Sequence, residues 1–123
     1  MQAELEAMLP ALPRRGIATA ALTAGGCIVL VPSLSVASEL VNLVAPEHLE
    51  LAVAEPYALM AQVRHAGSIF LGQYTPEAVG DYLAGPNHTL PTGGTARFSS
   101  PLSVADFMKR SSFICYQAEA LNR

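Results

Sequence analysis

The stretch Gly67-Ser68-Ile69-Phe70-Leu71-Gly72 decides the fold prediction, because a short apolar run bracketed by glycines is typical of a buried strand. Upstream, apolar residues alternate with others across Leu49–Val53 and predict a second short strand. Between the two strands, Pro56 occupies a first-turn position and opens a helix. Downstream, Thr75-Pro76-Glu77 is a capping signature, with threonine as N-cap, for another helix. Helices and strands therefore alternate around this stretch.

The flanking segments continue the alternation. A serine N-cap at Ser33 or Ser35 precedes a helix whose apolar face runs from Val36 to Val44. The remaining patterns predict helices at Gln2–Leu9 and Leu102–Lys109, an incipient helix at Glu119–Arg123, and strands at Cys27–Val31 and Ser112–Tyr116. The segment Ile17–Leu22 fits both templates and is left open. This order predicts an α/β fold with helices packed on a sheet, and 123 residues suit a single domain over residues 1–123.

Composition excludes several classes of function. The net charge is −3 with only seven Lys+Arg, so no basic stripe points to nucleic acid as a partner. No apolar run approaches the roughly 20 residues of a membrane span, and the acidic amino terminus does not resemble a secretory signal. We therefore expect no nucleic-acid partner, no membrane association and a cytoplasmic protein, with Cys27 and Cys115 buried as unpaired apolar residues.

Glu47 and His48 form the first candidate site, directly after the exit of a predicted helix. Because Pro46 disfavours the helical basin for the residue before it, we expect Ala45 to be extended. A histidine titrates near neutrality, and burial can tune a glutamate to the same range, so both side chains can move protons. The alternative is a loop with a surface glutamate and a partly buried histidine, which the spacing alone favours.

Asp81 and His88 form the second candidate site, in the glycine- and proline-rich stretch Gly80–Arg97. A carboxylate near the end of a helix opposes the helix dipole, which favours a bound cation or hydrogen-bond donor at Asp81. Prolines on either side of His88 stiffen the backbone that carries it. With His48, these residues would suit a divalent-cation site, zinc being the first choice. Asp81 could equally be a simple hydrogen-bonding residue.

Three further polar features carry weaker signals. Gly93-Gly94-Thr95 does not follow a strand and lacks the spaced glycines of a dinucleotide site, so it predicts a tight turn. Arg97 is interpreted either as an anion contact or as a solvated charge. His65, alone after a predicted helix, is interpreted as a surface residue or a cap.

Several motifs, in this order along the chain, resemble histidinol dehydrogenase: Asn42–Leu51, Ala66–Gly72, Gly80–Tyr82 with Ala84–Thr92, Thr95–Ser100 and Phe107–Arg110. The resemblance covers nearly the whole chain. It implies a zinc-dependent enzyme that oxidises L-histidinol through the aldehyde histidinal to L-histidine with two NAD, the last steps of histidine biosynthesis. It also implies a homodimer.

The resemblance implies a role for each candidate residue. Glu47 and His48 match the family's catalytic acid/base pair, with His48 as the base that takes the alcohol proton at the substrate and Glu47 as the group that activates water. Asp81 matches a zinc ligand that also helps to hold the substrate. His88 matches a substrate contact. No residue of this chain is assigned to NAD.

Members of that family are several times longer, and this chain resembles an internal stretch toward their carboxyl end. We therefore expect a partial catalytic segment with an incomplete Rossmann-like sheet flanked by helices. It lacks the family's other zinc ligands and its NAD-binding part, so we expect it to be inactive alone. Two alternatives remain open at this point: a related dehydrogenase with a different alcohol substrate, and a stand-alone non-catalytic interaction domain.

Overall fold

The computed structural model describes residues 1–122, which form two compact units. The first unit spans Met1–Pro32 and the second begins at Ser33. The prediction of one domain over residues 1–123 stays a prediction. Among the described helices, none combines the length and the apolar character that crossing a membrane requires.

The first unit is helical. Helix α1 (Gln2–Met8) leads through a 3₁₀ turn at Leu9–Ala11 into helix α2 (Arg15–Gly25). The prediction of a helix near the start is confirmed, and the ambiguous segment lies inside α2. The predicted strand Cys27–Val31 is wrong: no strand of residues 1–122 pairs with it, and Leu30 is 93% exposed. The thiol of Cys27 is exposed as well, which corrects its predicted burial.

The second unit opens with helix α3 (Leu34–Val44), and Ser33 is its N-cap. The Ser33 side chain accepts a hydrogen bond from the Val36 N–H at 3.3 Å. The helix ends at Ala45, whose N–H donates to the carbonyl of Val41 at 2.8 Å. Ala45 has φ 51° and ψ 63°, so the prediction of an extended residue is wrong. The left-handed backbone costs an alanine about 1 kcal/mol, but it turns the chain toward the sheet and leaves Ala45 only 1% exposed.

A strand, a helix and a second strand form the core of the second unit. Strand β1 (His48–Leu51), helix α4 (Pro56–Met60) and strand β2 (Ser68–Leu71) follow in sequence. The two strands are parallel, with His48 paired to Ser68 and Leu51 to Leu71. The inward side chains of β1 pack with α4, and the buried cluster comprises Leu49, Leu51 and Leu59. The α/β class predicted from the sequence is confirmed.

Helix α5 (Glu77–Tyr82) follows β2 and carries the second candidate acid. It begins one residue later than predicted, with Pro76 as N-cap. The Thr75 hydroxyl does not cap it, because this hydroxyl donates instead to the carbonyl of Leu71 at 2.8 Å. The predicted helix is therefore present, but its start is set by other contacts.

Between α5 and residue 122 the regular structure consists of short 3₁₀ turns, at Thr95–Arg97, Val104–Phe107 and Ala118–Asn122. The second of these replaces the longer helix predicted at Leu102–Lys109. The predicted strand Ser112–Tyr116 is wrong, since no described strand pairs with it, and the predicted burial of Cys115 is also wrong. The third turn lies where the final helix was predicted, apart from Arg123, which falls outside the described residues.

Candidate functional site

Strand periodicity decides which way the candidate residues of β1 face. Leu49 and Leu51 are buried against α4, so His48 and Glu50 lie on the opposite side of the strand. This side faces α5, as the contacts of His48 and Glu50 with Glu77 show. The side chains of His48 and Glu50, two residues apart on one side of β1, thus reach the helix that carries Asp81.

A cavity of about 150 Å³ lies between this face and the loop after α5. His48, Asp81 and His88 all line it, together with Phe70 and Asn87. Three candidate residues from two separate sequence clusters therefore meet at one cleft. Asp81 and His88 are exposed, so the cleft is open on their side.

Glu47 is adjacent to the cleft but does not line it. Its Oε1 lies 3.8 Å from Nδ1 of His48. The backbone carbonyl of Glu47 accepts a hydrogen bond from the Ser68 N–H at 2.8 Å, which fixes the residue to the start of β2. A Cβ at Gly67 would lie 2.6 Å from the same carbonyl oxygen, so this close approach requires a glycine.

The imidazole of His48 is held between two carboxylates and an aromatic ring. Its Nε2 lies 3.6 Å from Oε1 of Glu77, while Glu47 approaches the other nitrogen. The ring stacks on Phe70 with centroids 6.1 Å apart and planes inclined by 28°. The two carboxylate distances are longer than hydrogen bonds but lie within ion-pair range. Such a ring can exchange a proton at one nitrogen while the other nitrogen faces an acidic partner.

Glu77 is a site residue that the sequence reasoning missed. It lies one helical turn before Asp81, and this i, i+4 spacing of two acids was the available signal. The hydrogen bond shared with Asp81 raises the pKa of Glu77 above its ordinary value of 4.5, and charge repulsion from Asp81 adds to the shift. The neighbouring His48 acts in the opposite direction.

His48, Glu77 and Asp81 together could hold a metal ion. Each offers one donor atom, and the three atoms lie within 4.8 Å of one another. One imidazole nitrogen and two carboxylate oxygens suit zinc and similar divalent cations. The chemistry of this donor set therefore fits the cation expected from the sequence, with Glu77 as an additional neighbour of Asp81.

Two glycines and an arginine shape the surroundings of the site. A Cβ at Gly80 would lie 2.6 Å from Cε1 of Phe70, so the glycine lets α5 approach the ring that supports His48.

Gly94 is left-handed with φ 81°, in agreement with the predicted tight turn. Arg97 donates to the carbonyl of Gly94 at 2.8 Å and also to that of Leu43 at the end of α3. Its guanidinium thus binds backbone carbonyls while Arg97 remains exposed, which agrees with a solvated charge, and the anion contact stays a prediction.

Asn42 anchors α3 to the chain that enters β2. Its amide donates to the carbonyl of Gln62 at 2.9 Å, and its Oδ1 accepts from the N–H groups of Arg64 at 2.6 Å and His65 at 3.2 Å. His65 is half-buried, and its backbone N–H, not its imidazole, makes this hydrogen bond. This anchor fixes the start of the sheet and hence the strand that supports Glu47.

The sequence of this chain matches one known protein family over its whole length. A family model described as histidinol dehydrogenase matches residues 1–123. The chain is 58% identical over 121 residues to histidinol dehydrogenase of Bacillus cereus (strain ATCC 10987 / NRS 248) and 55% identical over 120 residues to that of Bacillus subtilis (strain 168). Each alignment covers 98% of this chain and 28% of the relative, so the chain spans little more than a quarter of their length.

A solved structure shows the same relation. The crystal structure of histidinol dehydrogenase from Elizabethkingia anophelis superposes with a TM-score of 0.84 at 39% sequence identity. The match covers 98% of this chain and 28% of that chain. The fold described above is therefore shared with a segment of a larger solved protein.

Proposed function

Since this chain belongs to the histidinol dehydrogenase family, we propose that it forms part of an NAD- and zinc-dependent enzyme that oxidises L-histidinol through histidinal to L-histidine in histidine biosynthesis. The observation that supports this most is the meeting of His48, Asp81 and His88 at one cleft, with Glu47 beside it. A site that must bind a small alcohol and remove its proton needs a base, an anchor for the substrate and a polar rim. The cleft offers these groups.

His48 is the proposed base for the alcohol step. Its ring nitrogens face carboxylates, and its stacking on Phe70 fixes the plane of the imidazole. A proton taken from the substrate hydroxyl would therefore arrive at a ring of defined orientation. Glu47, next to His48, is the proposed group that activates water for attack on the aldehyde.

Asp81 is the proposed zinc ligand, and it also helps to hold the substrate. His88, on the facing loop, is the proposed substrate contact. When bound, zinc would polarise the substrate oxygen and NAD would accept the hydride of each oxidation. The residues of this chain would orient the alcohol, hold zinc through Asp81 and move the proton.

The segment is proposed to be inactive alone. A catalytic zinc site normally takes three protein ligands and an open position, and among the residues of this chain the resemblance matches only Asp81 to the family's ligand set. Large apolar side chains also remain exposed, including Phe107 at 80% and Phe113 at 95%. This exposure fits a segment whose surface is covered by other parts of a larger protein, and homodimer assembly and a cytoplasmic location belong to the same proposal.

Substitution of His48 in the complete gene product tests the function. We expect His48→Gln to lower kcat for histidinol oxidation by about 10²- to 10⁴-fold, as expected for the loss of a general base. Glu39→Gln, an exposed change on α3 away from the cleft lining, is the matched control and should retain activity. Full activity of His48→Gln, or no histidinol-dependent NADH formation by the wild-type product, would refute the proposal.

Two further assays address the substrate and the extent of the active unit. If the substrate is histidinol, non-imidazole amino alcohols should give a much lower kcat/KM, whereas equal values would favour a related dehydrogenase with another substrate. The isolated segment should form no NADH. Turnover by the isolated segment that depends on Glu47 and His48 would contradict its proposed insufficiency.

A further inference from the structure

We propose that Glu50 is a positioning residue that ties the start of α5 to β1 and thereby sets the position of Asp81 relative to His48. The tie itself is a structural inference, and its catalytic consequence rests on the proposed function. Among residues 1–122, Glu50 makes no hydrogen bond or ion pair with His48, Asp81 or His88; its side chain binds the backbone N–H of Glu77. It acts through the helix that carries one of them.

The start of α5 has backbone N–H groups that no capping side chain of the helix itself satisfies. The first N–H groups of a helix have no partner within the helix and are usually satisfied by a capping side chain. Helix α5 has Pro76 at its N-cap and no side-chain cap of its own. The N–H of Glu77, its first residue, donates instead to Oε1 of Glu50 at 2.8 Å.

The acceptor therefore comes from a strand 27 positions earlier in the sequence. A carboxylate at this end of a helix also meets the favourable, positive side of the helix dipole. Among the side-chain hydrogen bonds of residues 1–122, this is the one that joins β1 to α5. It acts as a tertiary cap.

The position of Glu50 on β1 gives this cap its consequence. Glu50 is two residues after His48 on the same side of the strand, and Asp81 is four residues after Glu77 on the helix. One hydrogen bond thus connects the strand that carries the base to the turn that precedes the acid. Because α5 has only six residues, a shift of its first turn should displace Asp81 as well.

Glu50 is exposed, so replacing it removes no core packing. The expected loss is therefore one of geometry rather than of folding. In Glu50→Ala the Glu77 N–H has no carboxylate partner, whereas Glu50→Gln keeps an oxygen that can accept the same hydrogen bond. Glu39→Ala provides the matched control, because Glu39 is exposed and makes no side-chain hydrogen bond among residues 1–122.

The test uses the complete gene product and two readouts. Amide hydrogen exchange of the peptide that contains Glu77 should accelerate in Glu50→Ala and stay near wild type in Glu50→Gln and Glu39→Ala. The kcat/KM for histidinol should fall about 10-fold in Glu50→Ala, a loss at the lower end of that seen when partners of metal ligands are removed, and by less than about twofold in the other two variants. Thermal unfolding should show the same midpoint for all variants to within a few degrees.

The measurements either support or overturn the positioning role of Glu50. Exchange and kcat/KM in Glu50→Ala equal to those in Glu39→Ala would overturn the tie, as would a Glu50→Gln variant as impaired as Glu50→Ala. If the wild type does not oxidise histidinol, the proposed function fails, yet the exchange measurement still confirms or overturns the tie. A fall in kcat/KM without faster exchange would show that Glu50 acts by another route and would also overturn the positioning role.

Discussion

The two halves of the site are built in different ways. The strand half, Glu47 and His48 at the start of β1, rests on the buried leucines of that strand and on the parallel pairing with β2. The loop half, Asp81 on α5 and His88 in the following loop, is exposed. Its recorded ties to the strand half are the Gly80 contact with Phe70, the ion-pair contact of Glu77 with His48 and the hydrogen bond from Glu77 to Glu50.

This difference separates the two chemical tasks assigned to the site. Proton transfer, the proposed role of His48, needs a base of fixed orientation, and the buried leucines of β1 hold this half in place. Metal and substrate binding, the proposed roles of Asp81 and His88, need groups that reach an open cleft, and these two side chains are exposed there. Changes that weaken the strand half should therefore affect folding, while changes in the loop half should mainly affect local geometry.

The largest expected effect is at Asn42, the residue of α3 that anchors the chain entering β2 and so supports the strand half. Asn42→Ala removes one donor and one shared acceptor, leaving the carbonyl of Gln62 and the N–H groups of Arg64 and His65 without their side-chain partner. We expect the free energy of unfolding to fall by about 2 kcal/mol, because three hydrogen bonds are lost, of which the one with the His65 N–H is partly buried. Equilibrium unfolding in urea measures this change.

Gln73→Ala is the control for this substitution, since Gln73 is exposed and makes no side-chain hydrogen bond among residues 1–122. Its free energy of unfolding should change by less than about 0.5 kcal/mol. If Asn42→Ala were equally mild, the strand half would not depend on this anchor.

A smaller effect is expected where the two halves meet, at Gly80. In Gly80→Ala the new methyl group would lie 2.6 Å from Cε1 and 2.9 Å from Cζ of Phe70, a buried ring. The overpacking costs about 1–3 kcal/mol, and the gain in helix propensity returns about 1 kcal/mol. We expect a net destabilisation of about 1 kcal/mol and a shift of the His48 ring resonances, measured by thermal unfolding and by NMR.

Gly16→Ala makes the matching change in helix α2, where nothing lies within 4 Å of the added carbon. There the alanine should stabilise its helix by up to about 1 kcal/mol. Opposite signs at the two glycines are the prediction. If both substitutions stabilise the protein, Gly80 is not required for the approach of α5 to Phe70.

The smallest effect is expected within the loop half, at Glu77, and it depends on pH. Because the fold raises the pKa of Glu77, the folded chain binds its proton more tightly than the unfolded chain does. The stability that this proton contributes is present below pH 4.5 and is lost as the pH rises through the raised pKa. At pH 7 the charged Glu77 repels Asp81.

Glu77→Gln should therefore be more stable than the wild type at pH 7, and the difference should shrink toward pH 4. Unfolding curves at the two pH values measure this change, and Glu39→Gln should show no such trend. A wild-type protein that gains stability relative to Glu77→Gln as the pH rises would contradict the sign of the shift.

The sequence predicted those elements whose signals are local. A serine before α3, a proline at the start of α4 and glycines on both sides of β2 act within a few residues of the backbone that they define. The predicted strands Cys27–Val31 and Ser112–Tyr116 failed for the opposite reason. A strand requires a partner, and an apolar β-branched run cannot specify one by its own composition.

The site was predictable to a similar extent. Glu47, His48, Asp81 and His88 are unusual polar residues on restricted backbone, and the fold places three of them at one cleft and the fourth beside it. Their chemical roles remain proposals. Glu50 could not be distinguished from a solvated charge, because its hydrogen bond with the Glu77 N–H joins segments far apart in the sequence. For Glu77, the i, i+4 spacing with Asp81 was the only signal.

The parallel pairing of β1 with β2 has a consequence for the order of folding. Paired residues in the two strands are twenty positions apart, and the hydrogen bonds of Asn42 span 20 to 23 positions. These spans are shorter than the 27 positions between Glu50 and Glu77, so closing them costs less chain entropy, although pairing of parallel strands is itself slow. The segment from α3 to β2 can therefore assemble before α5 docks, so that His48 is in place before Asp81 reaches the cleft.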